Sequence, residues 1–295
     1  MKTRTLVLIG LAVWLVPAIL LFVLLGSDGR NEEFQPQNEF QLDPWIELGP
    51  FDVNRAVLYL LLAAGFTIGA MLYIANRMEQ KPNRVQTAVE ALYALMRDNI
   101  TRGNMDDKMA AKWFPFIGAI FLFIWFSNLL GYIPLPTNTH ETFDLFGLDI
   151  PAFALYAATA NISVPLMLTL LVWISYHVEG IRAQGVGPYF ASWIPAGVTG
   201  PARIPIFIIE VISHFVRLIS LSVRLFANIL AGHLLILFMG GGLAVLLGLS
   251  AIGWLTLPMA IAFFIFEVGL VATLQAFIFA TLTSIYLGSA TVAHH

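Results

Sequence analysis

The chain has no cysteine in its 295 residues. Disulfides, thiol chemistry and cysteine-based metal sites are thereby excluded. Charge is the second scarcity. Only 11% of residues are Asp, Glu, Lys or Arg, against about a quarter in soluble domains, while 59% are hydrophobic and mean hydropathy is +0.82. Long uncharged runs mark an integral membrane protein built of helices, since barrel strands would read as short alternating segments. No internal repeat is visible, which argues against a self-contained channel or secondary transporter. His177, His214 and His233 do not form an H-E-x-x-H spacing and no G-x-S-x-G is present, which argues against an intramembrane enzyme.

What is present is six apolar segments, each near or beyond the ~20 residues that span a bilayer. They run about Leu6 to Leu25, Ala56 to Ala75, Trp113 to Ile133, Ile162 to Val178, Ile204 to Met239 and Trp254 to Leu287. The loop from Arg77 to Lys112 carries Arg77, Lys81, Arg84, Arg97, Arg102, Lys108 and Lys112. The loop from Leu135 to Ala160 carries only acidic charges, Glu141, Asp144 and Asp149. The positive-inside rule makes the first loop cytoplasmic and the second external, which puts both termini in the cytoplasm. Residues 1–26 read as a membrane anchor. A signal peptide is the competing reading, disfavoured because no small-x-small cleavage site follows. Residues 27–54 read as an external linker and 55–295 as the membrane domain. Val85, Val89, Leu92 and Met96 fall at helical spacing, so an amphipathic helix over about 84–100 is expected on the membrane surface.

The last two segments are too long. At ~1.5 Å per residue the fifth would reach ~54 Å against a hydrocarbon core of ~30 Å, and an unbroken fit requires a tilt of roughly 55°. The expected fold class is an all-α polytopic membrane protein with about six membrane helices. The last two, over 204–287, are either broken or form a long, steeply tilted hairpin laid along a curved partner surface.

Polar residues on the fifth segment are not scattered. At about 100° per residue, Glu210, His214, Arg217, Arg224 and Asn228 share one face. Gly232 continues that line, and His233 points toward a neighbouring helix. A guanidinium at bilayer depth costs about 2.5–3.5 kcal/mol on insertion scales, so Arg224 needs a partner or a water-filled cavity. One reading is an internally satisfied network, Arg217 with Glu210 and Arg224 with Glu267. The favoured reading is a proton or ion path. On the sixth segment Glu267 is a lone membrane carboxylate and a proton-relay candidate, while Gln275 is placed to hydrogen-bond a guanidinium on the adjacent helix or to act as helix–helix glue.

Two segments, Ser222-Val-Arg224-Leu-Phe-Ala-Asn228-Ile-Leu-Ala-Gly232-His233 and Leu274-Gln275-Ala-Phe-Ile-Phe-Ala-Thr-Leu-Thr-Ser-Ile-Tyr286-Leu, carry a resemblance. Asn128-Leu-Leu-Gly131-Tyr-Ile-Pro134 and the Pro82…Gln86…Glu90 pattern support it. In this order they resemble subunit a of the rotary F-type ATP synthase, over roughly Pro82 to Leu287. The resemblance implies a proton-translocating stator subunit, not catalytic alone, that offers two offset half-channels to a rotating c-ring. The sodium-translocating version is the alternative. Arg224 is then the arginine facing the c-ring carboxylate. Glu210 belongs to the cytoplasmic half-channel, with His214 along it, and His233 with Glu267 to the outer one; Asn228 and Gln275 also stand on the proton path. Many bacterial relatives carry the acid and the histidine the other way round. The implied partners are the c-ring, peripheral-stalk subunit b, the whole complex and membrane lipid, in a bacterial inner membrane. No cofactor, metal or nucleic acid is implied.

Two departures stand out. Glu267 precedes Gln275 by eight residues where seven is usual, which rotates it by about 100° unless a π-bulge absorbs the extra residue. In Ala158-Thr-Ala-Asn161-Ile-Ser163-Val-Pro165 an asparagine stands where the family has an acid. Asn161 and Ser163 are therefore the candidate outer mouth of the path, as water-ordering groups. Arg217 sits where the family is often basic.

Overall fold

A computed structural model describes residues 3–25, 42, 44, 46–48, 51–76, 83–137, 142–145, 148–151, 153–195 and 197–291. Much of the linker over 27–54, and Arg77 and Lys81 of the basic loop, lie outside these residues. Two compact units are present. One comprises residues 1–56, 131–156 and 229–271, and the other 57–130, 157–228 and 272–295.

The first unit opens with α1, Thr3–Leu25. Its Trp14 indole donates to the carbonyl of Trp254, and the Trp254 indole donates back to that of Trp14, at 3.3 and 2.9 Å. The unit also holds three short antiparallel ribbons: β1 (Ile46–Leu48) with β2 (Phe51–Val53), β3 (Leu135–Pro136) with β6 (Phe153–Ala154), and β4 (Thr142–Leu145) with β5 (Leu148–Pro151).

The second unit contains most of α2 (Arg55–Asn76), then α3 (Arg84–Ala94), which continues as a π turn over Leu95–Thr101, and α4 (Asp107–Leu130). The Asn83 side chain caps α3 by accepting from the Gln86 amide at 2.8 Å, satisfying one of the free donors that every helix start leaves. Gln86 is itself buried and donates to Glu90 at 2.6 Å, so the Gln86…Glu90 part of the pattern is a hydrogen-bonded pair, while Pro82 lies outside the described residues. There follow α5 (Ser163–Gln184) and the short α6 (Val186–Ala191). Asn161 accepts from the Ser163 amide at 3.0 Å, so its side chain holds the turn into α5.

The long helices are not broken. α7 runs over Arg203–Leu237 without interruption. A π turn at Phe238–Gly242 follows, where Gly241 adopts φ 155°, a backbone that disfavours any side chain. α8 (Leu243–Leu247) leads to α9 (Ser250–Phe266), a π turn over Glu267–Val271 and α10 (Ala272–Thr291). Together they form the long C-terminal helical hairpin. Among the described residues five helices are long and apolar enough to cross a membrane: α2, α4, α5 and the two limbs of the hairpin. α1 is apolar as well, over its described stretch Ile9–Leu24. The fold is thus an all-α polytopic membrane protein.

One ion pair ties the second unit together. Lys112 of α4 reaches Glu179 of α5 at 2.5 Å, and Glu179 is only 5% exposed, with its other oxygen buried and unpartnered. Lys112→Met leaves a buried carboxylate without its cation. Because Lys112 is half exposed, the expected loss is about 1–3 kcal/mol rather than that of a fully buried pair. Thermal melting of the detergent-purified protein checks this: the single variant melts lower, and Lys112→Met with Glu179→Met recovers most of the loss. An unchanged melting temperature in the single variant would refute the pairing.

Candidate functional site

In the second unit the polar residues of α7 divide into two groups. The first is a cluster. Arg217 lies 3.5 Å from Glu210, and His214 Nε2 lies 3.8 Å from the same carboxylate oxygen. His214 is buried, its Nδ1 2.9 Å from the hydroxyl of Tyr176 on α5 and its ring 4.3 Å from that of Trp193. His177 shares this pocket, its ring 4.9 Å from His214 and its Nδ1 2.6 Å from the Tyr189 hydroxyl of α6. The Nε2 of His177 is buried without a partner. Arg217 also lies 5.6 Å over the ring of Tyr286 on α10. Of the satisfied network weighed from the sequence, the Arg217–Glu210 half is therefore present.

The second group faces outward. Arg224 and Asn228 are exposed, while Leu221, Leu225 and Ile229 line the buried side of the same helix. Among the described residues the Arg224 guanidinium makes no hydrogen bond or ion pair. Gln275 of α10 is buried, yet no hydrogen bond joins it to Arg224, so the pairing considered for it is not formed. The start of α10 is instead fixed by α4. Asn128 donates to the carbonyl of Ala272 at 3.3 Å and accepts from Thr159 at 2.7 Å, while Trp125 donates to Thr273 at 3.1 Å.

The first unit holds the other candidate residues. The Tyr132 hydroxyl donates to Glu267 at 3.0 Å, and its ring lies 4.6 Å from that of His233. Glu267 thus has a phenol as its partner, not the guanidinium weighed from the sequence. His233 is buried with Nδ1 3.0 Å from the carbonyl of Ile229 and Nε2 3.0 Å from that of Gly131. Both neighbours only accept, and a neutral imidazole donates through one nitrogen. Gly232 lies against Glu267 so closely that a Cβ there would overlap the carboxylate. The π turn begins at Glu267 itself and holds the additional residue that the eight-residue spacing to Gln275 requires.

Tyr132, Tyr176, His177, Tyr189 and Trp193 join these groups without having been singled out as path residues. Tyr132 lies within the quoted Asn128–Pro134 segment, and His177 was visible only as a histidine lacking a metal-binding spacing. The signal for them was the density of aromatic and imidazole rings around Trp173–His177 and Tyr189–Trp193. Among the described residues no group of side chains is arranged to hold a metal ion.

Comparison with known proteins gives one answer. The family described as "ATP synthase A chain" matches residues 57–288. A protein of Bradyrhizobium diazoefficiens named ATP synthase subunit a is 32% identical over 268 residues, covering 88% of this chain and 98% of its own length. One of the same name from Rubrobacter xylanophilus is 33% identical, over 80% of this chain and 83% of its own. Another, from Frankia alni, is 33% identical, over 91% and 87%.

Proposed function

This chain belongs to the ATP synthase A chain family, and on that premise we propose that it is the proton-translocating stator subunit that sets Arg224 against the carboxylate of a rotating c-ring. The family makes it an ion-translocating, multi-pass membrane-sector subunit of an F-type ATP synthase. The finer reading is carried by one observation: an exposed guanidinium on an apolar helix, without a partner among the described residues. Such a charge is expensive in lipid and is explained by a carboxylate supplied from another chain.

In this reading Glu210 and His214 belong to the inner half-channel, Asn228 stands on the path beyond Arg224, and His233 and Glu267 carry protons in the outer one. Tyr132 orients the Glu267 carboxylate, since a phenol stays protonated across the working pH range and donates. Gln275 shapes the surroundings of Arg224, Arg217 holds Glu210, and Asn161 with Ser163 orders water near the start of α5. Residues 1–26 are a retained anchor, which the intact mass of the purified chain checks. Both termini face the cytoplasm of a bacterial inner membrane, and subunit b docks on the same stator.

ATP-driven acidification of inverted vesicles in sodium-free buffer tests the ion. Full acidification is expected, and a strict requirement for sodium would replace protons with sodium in the same mechanism. Glu267→Gln is expected to slow acidification by roughly 10²-fold, the lower end of the roughly 10²–10⁴-fold that one proton-transferring group contributes. An unchanged rate in both Glu267→Gln and His233→Ala would remove these two residues from the path.

A further inference from the structure

Two cavities meet where α3 lies beside α2 and α4, all within the second unit. One, of about 260 Å³, is lined by Tyr93, Arg97, Arg102, Ala110, Ala111 and Phe114. The other, of about 90 Å³, is apolar, with Met71, Ile74, Val89, Gly118 and Leu122 in its walls. Tyr93 and Phe114 line both, so the two are adjacent and share a wall.

Their order along α4 is informative. The guanidinium-bearing cavity sits at Ala110–Phe114, in the first turns of the helix, and the apolar groove follows at Phe114–Leu122. α4 crosses the membrane, so the groove lies at the depth of acyl chains and the arginines at the level of headgroups. α3 and the π turn that continues it have the pattern of a segment lying along the interface, with Val85 of α3 exposed and Met96 of the π turn buried. The two arginines differ. Arg102 is neutralised in part by Asp98 at 3.3 Å and Asp107 at 3.6 Å. Arg97 is exposed and has no ion pair or hydrogen bond among the described residues, so its charge is free. A free cation beside a narrow apolar slot at the membrane boundary complements an anion that carries a hydrocarbon tail. A soluble anion leaves the slot unfilled, and a neutral lipid leaves Arg97 uncompensated.

We propose that these adjacent cavities bind one anionic phospholipid, with its phosphate at Arg97 and an acyl chain in the groove beside Phe114 and Gly118. The proposal rests on α2 and α4 crossing a bilayer and uses no residue of the ion path. Its outcome is therefore separable from that of the proposed function, and Arg224→Ala should leave it unchanged.

The whole complex, reconstituted in phosphatidylcholine vesicles at low ionic strength, is labelled with a trace of photoactivatable phosphatidylglycerol or of photoactivatable phosphatidylcholine. Labelled peptides are then mapped. Phosphatidylglycerol should label residues 89–122 roughly fivefold more than phosphatidylcholine, the expected weight of one basic residue at an anionic surface. Arg97→Gln, at an exposed position, should bring the two lipids to equal labelling. Gly118→Leu, which fills the groove, should reduce labelling by both. Equal labelling of the unsubstituted protein by the two lipids overturns the proposal. So does loss of labelling on adding inorganic phosphate, which would make this a soluble-anion site. Absence of labelling, with cross-links from Arg97 to another polypeptide of the complex, overturns it equally.

Discussion

Arg224→Ala is expected to abolish ATP-driven proton pumping in inverted vesicles while the complex still assembles. Arg224 is exposed and makes no bond within the chain among the described residues, so its removal leaves no orphaned partner and no cavity. In the proposed mechanism the effect falls on the passing carboxylate. A guanidinium about 4 Å away favours the ionised form by about 4 kcal/mol at an effective dielectric of 20, and by about 1 kcal/mol if the pair is fully hydrated. That range is enough to discharge a proton on arrival and weak enough to let the rotor move on. The fixed charge also prevents protons from crossing directly between the two half-channels. Removal of Arg224 therefore loses coupling as well as flux, and the variant membrane is expected to leak protons passively. Arg224→Lys should not restore full activity, because an ammonium lacks the planar, always charged fork and shifts its titration readily when desolvated. Normal ATP-driven acidification by Arg224→Ala would sink this mechanism.

Gly232→Val is expected to reduce proton flux by roughly 10–100-fold with the complex intact, since a displacement of about 1 Å at a transfer site costs up to about 10²-fold. The carboxylate of Glu267 occupies the space that a side chain at 232 would need. The carboxylate is the far end of a flexible side chain, so it moves rather than the helices, and the protein folds. Movement breaks the 3.0 Å bond from Tyr132 and takes the carboxylate away from the ring that also lies against His233. Tyr132→Phe removes the same bond without crowding and should give a smaller loss in the same direction. The measurement is again the acidification rate, with assembly checked by ATP hydrolysis. Full flux in Gly232→Val would show that the position of Glu267 does not matter.

The apolar helices were legible because hydropathy and length alone decide them. Their ends were less so. α4 begins at Asp107 rather than near Trp113, and α5 runs on to Gln184 rather than ending near Val178. Both extensions are polar turns, Asp107-Lys108 and Glu179–Arg182, which hydropathy does not see but the Lys112–Glu179 pair stabilises. The helix expected over about 84–100 runs from Arg84, with its last turns widened to a π turn. The shared face of α7 was a correct reading of helical angle that hid a division. Within the 80° sector, His214 meets α5 and Arg217 meets Glu210 and Tyr286, whereas Arg224 and Asn228 are exposed. His214 and Arg224 lie at its opposite edges, one buried and one exposed.

By itself the sequence determined a charge-poor, all-helical membrane protein, its family, and the identity of the arginine on which the proposed mechanism turns. These follow from composition, periodicity and motif order, which need no knowledge of neighbours. Only the tertiary structure decided which polar groups meet. It placed Tyr132 between His233 and Glu267, gathered Tyr176, His177, Tyr189 and Trp193 around His214, and left Arg224 uncommitted. It also supplied the π turn at Glu267, which one-dimensional spacing raised only as a discrepancy of one residue. The physical reason is that a helix fixes the direction of its own side chains, whereas a hydrogen bond or ring contact also needs the register of a second element, and packing sets that register.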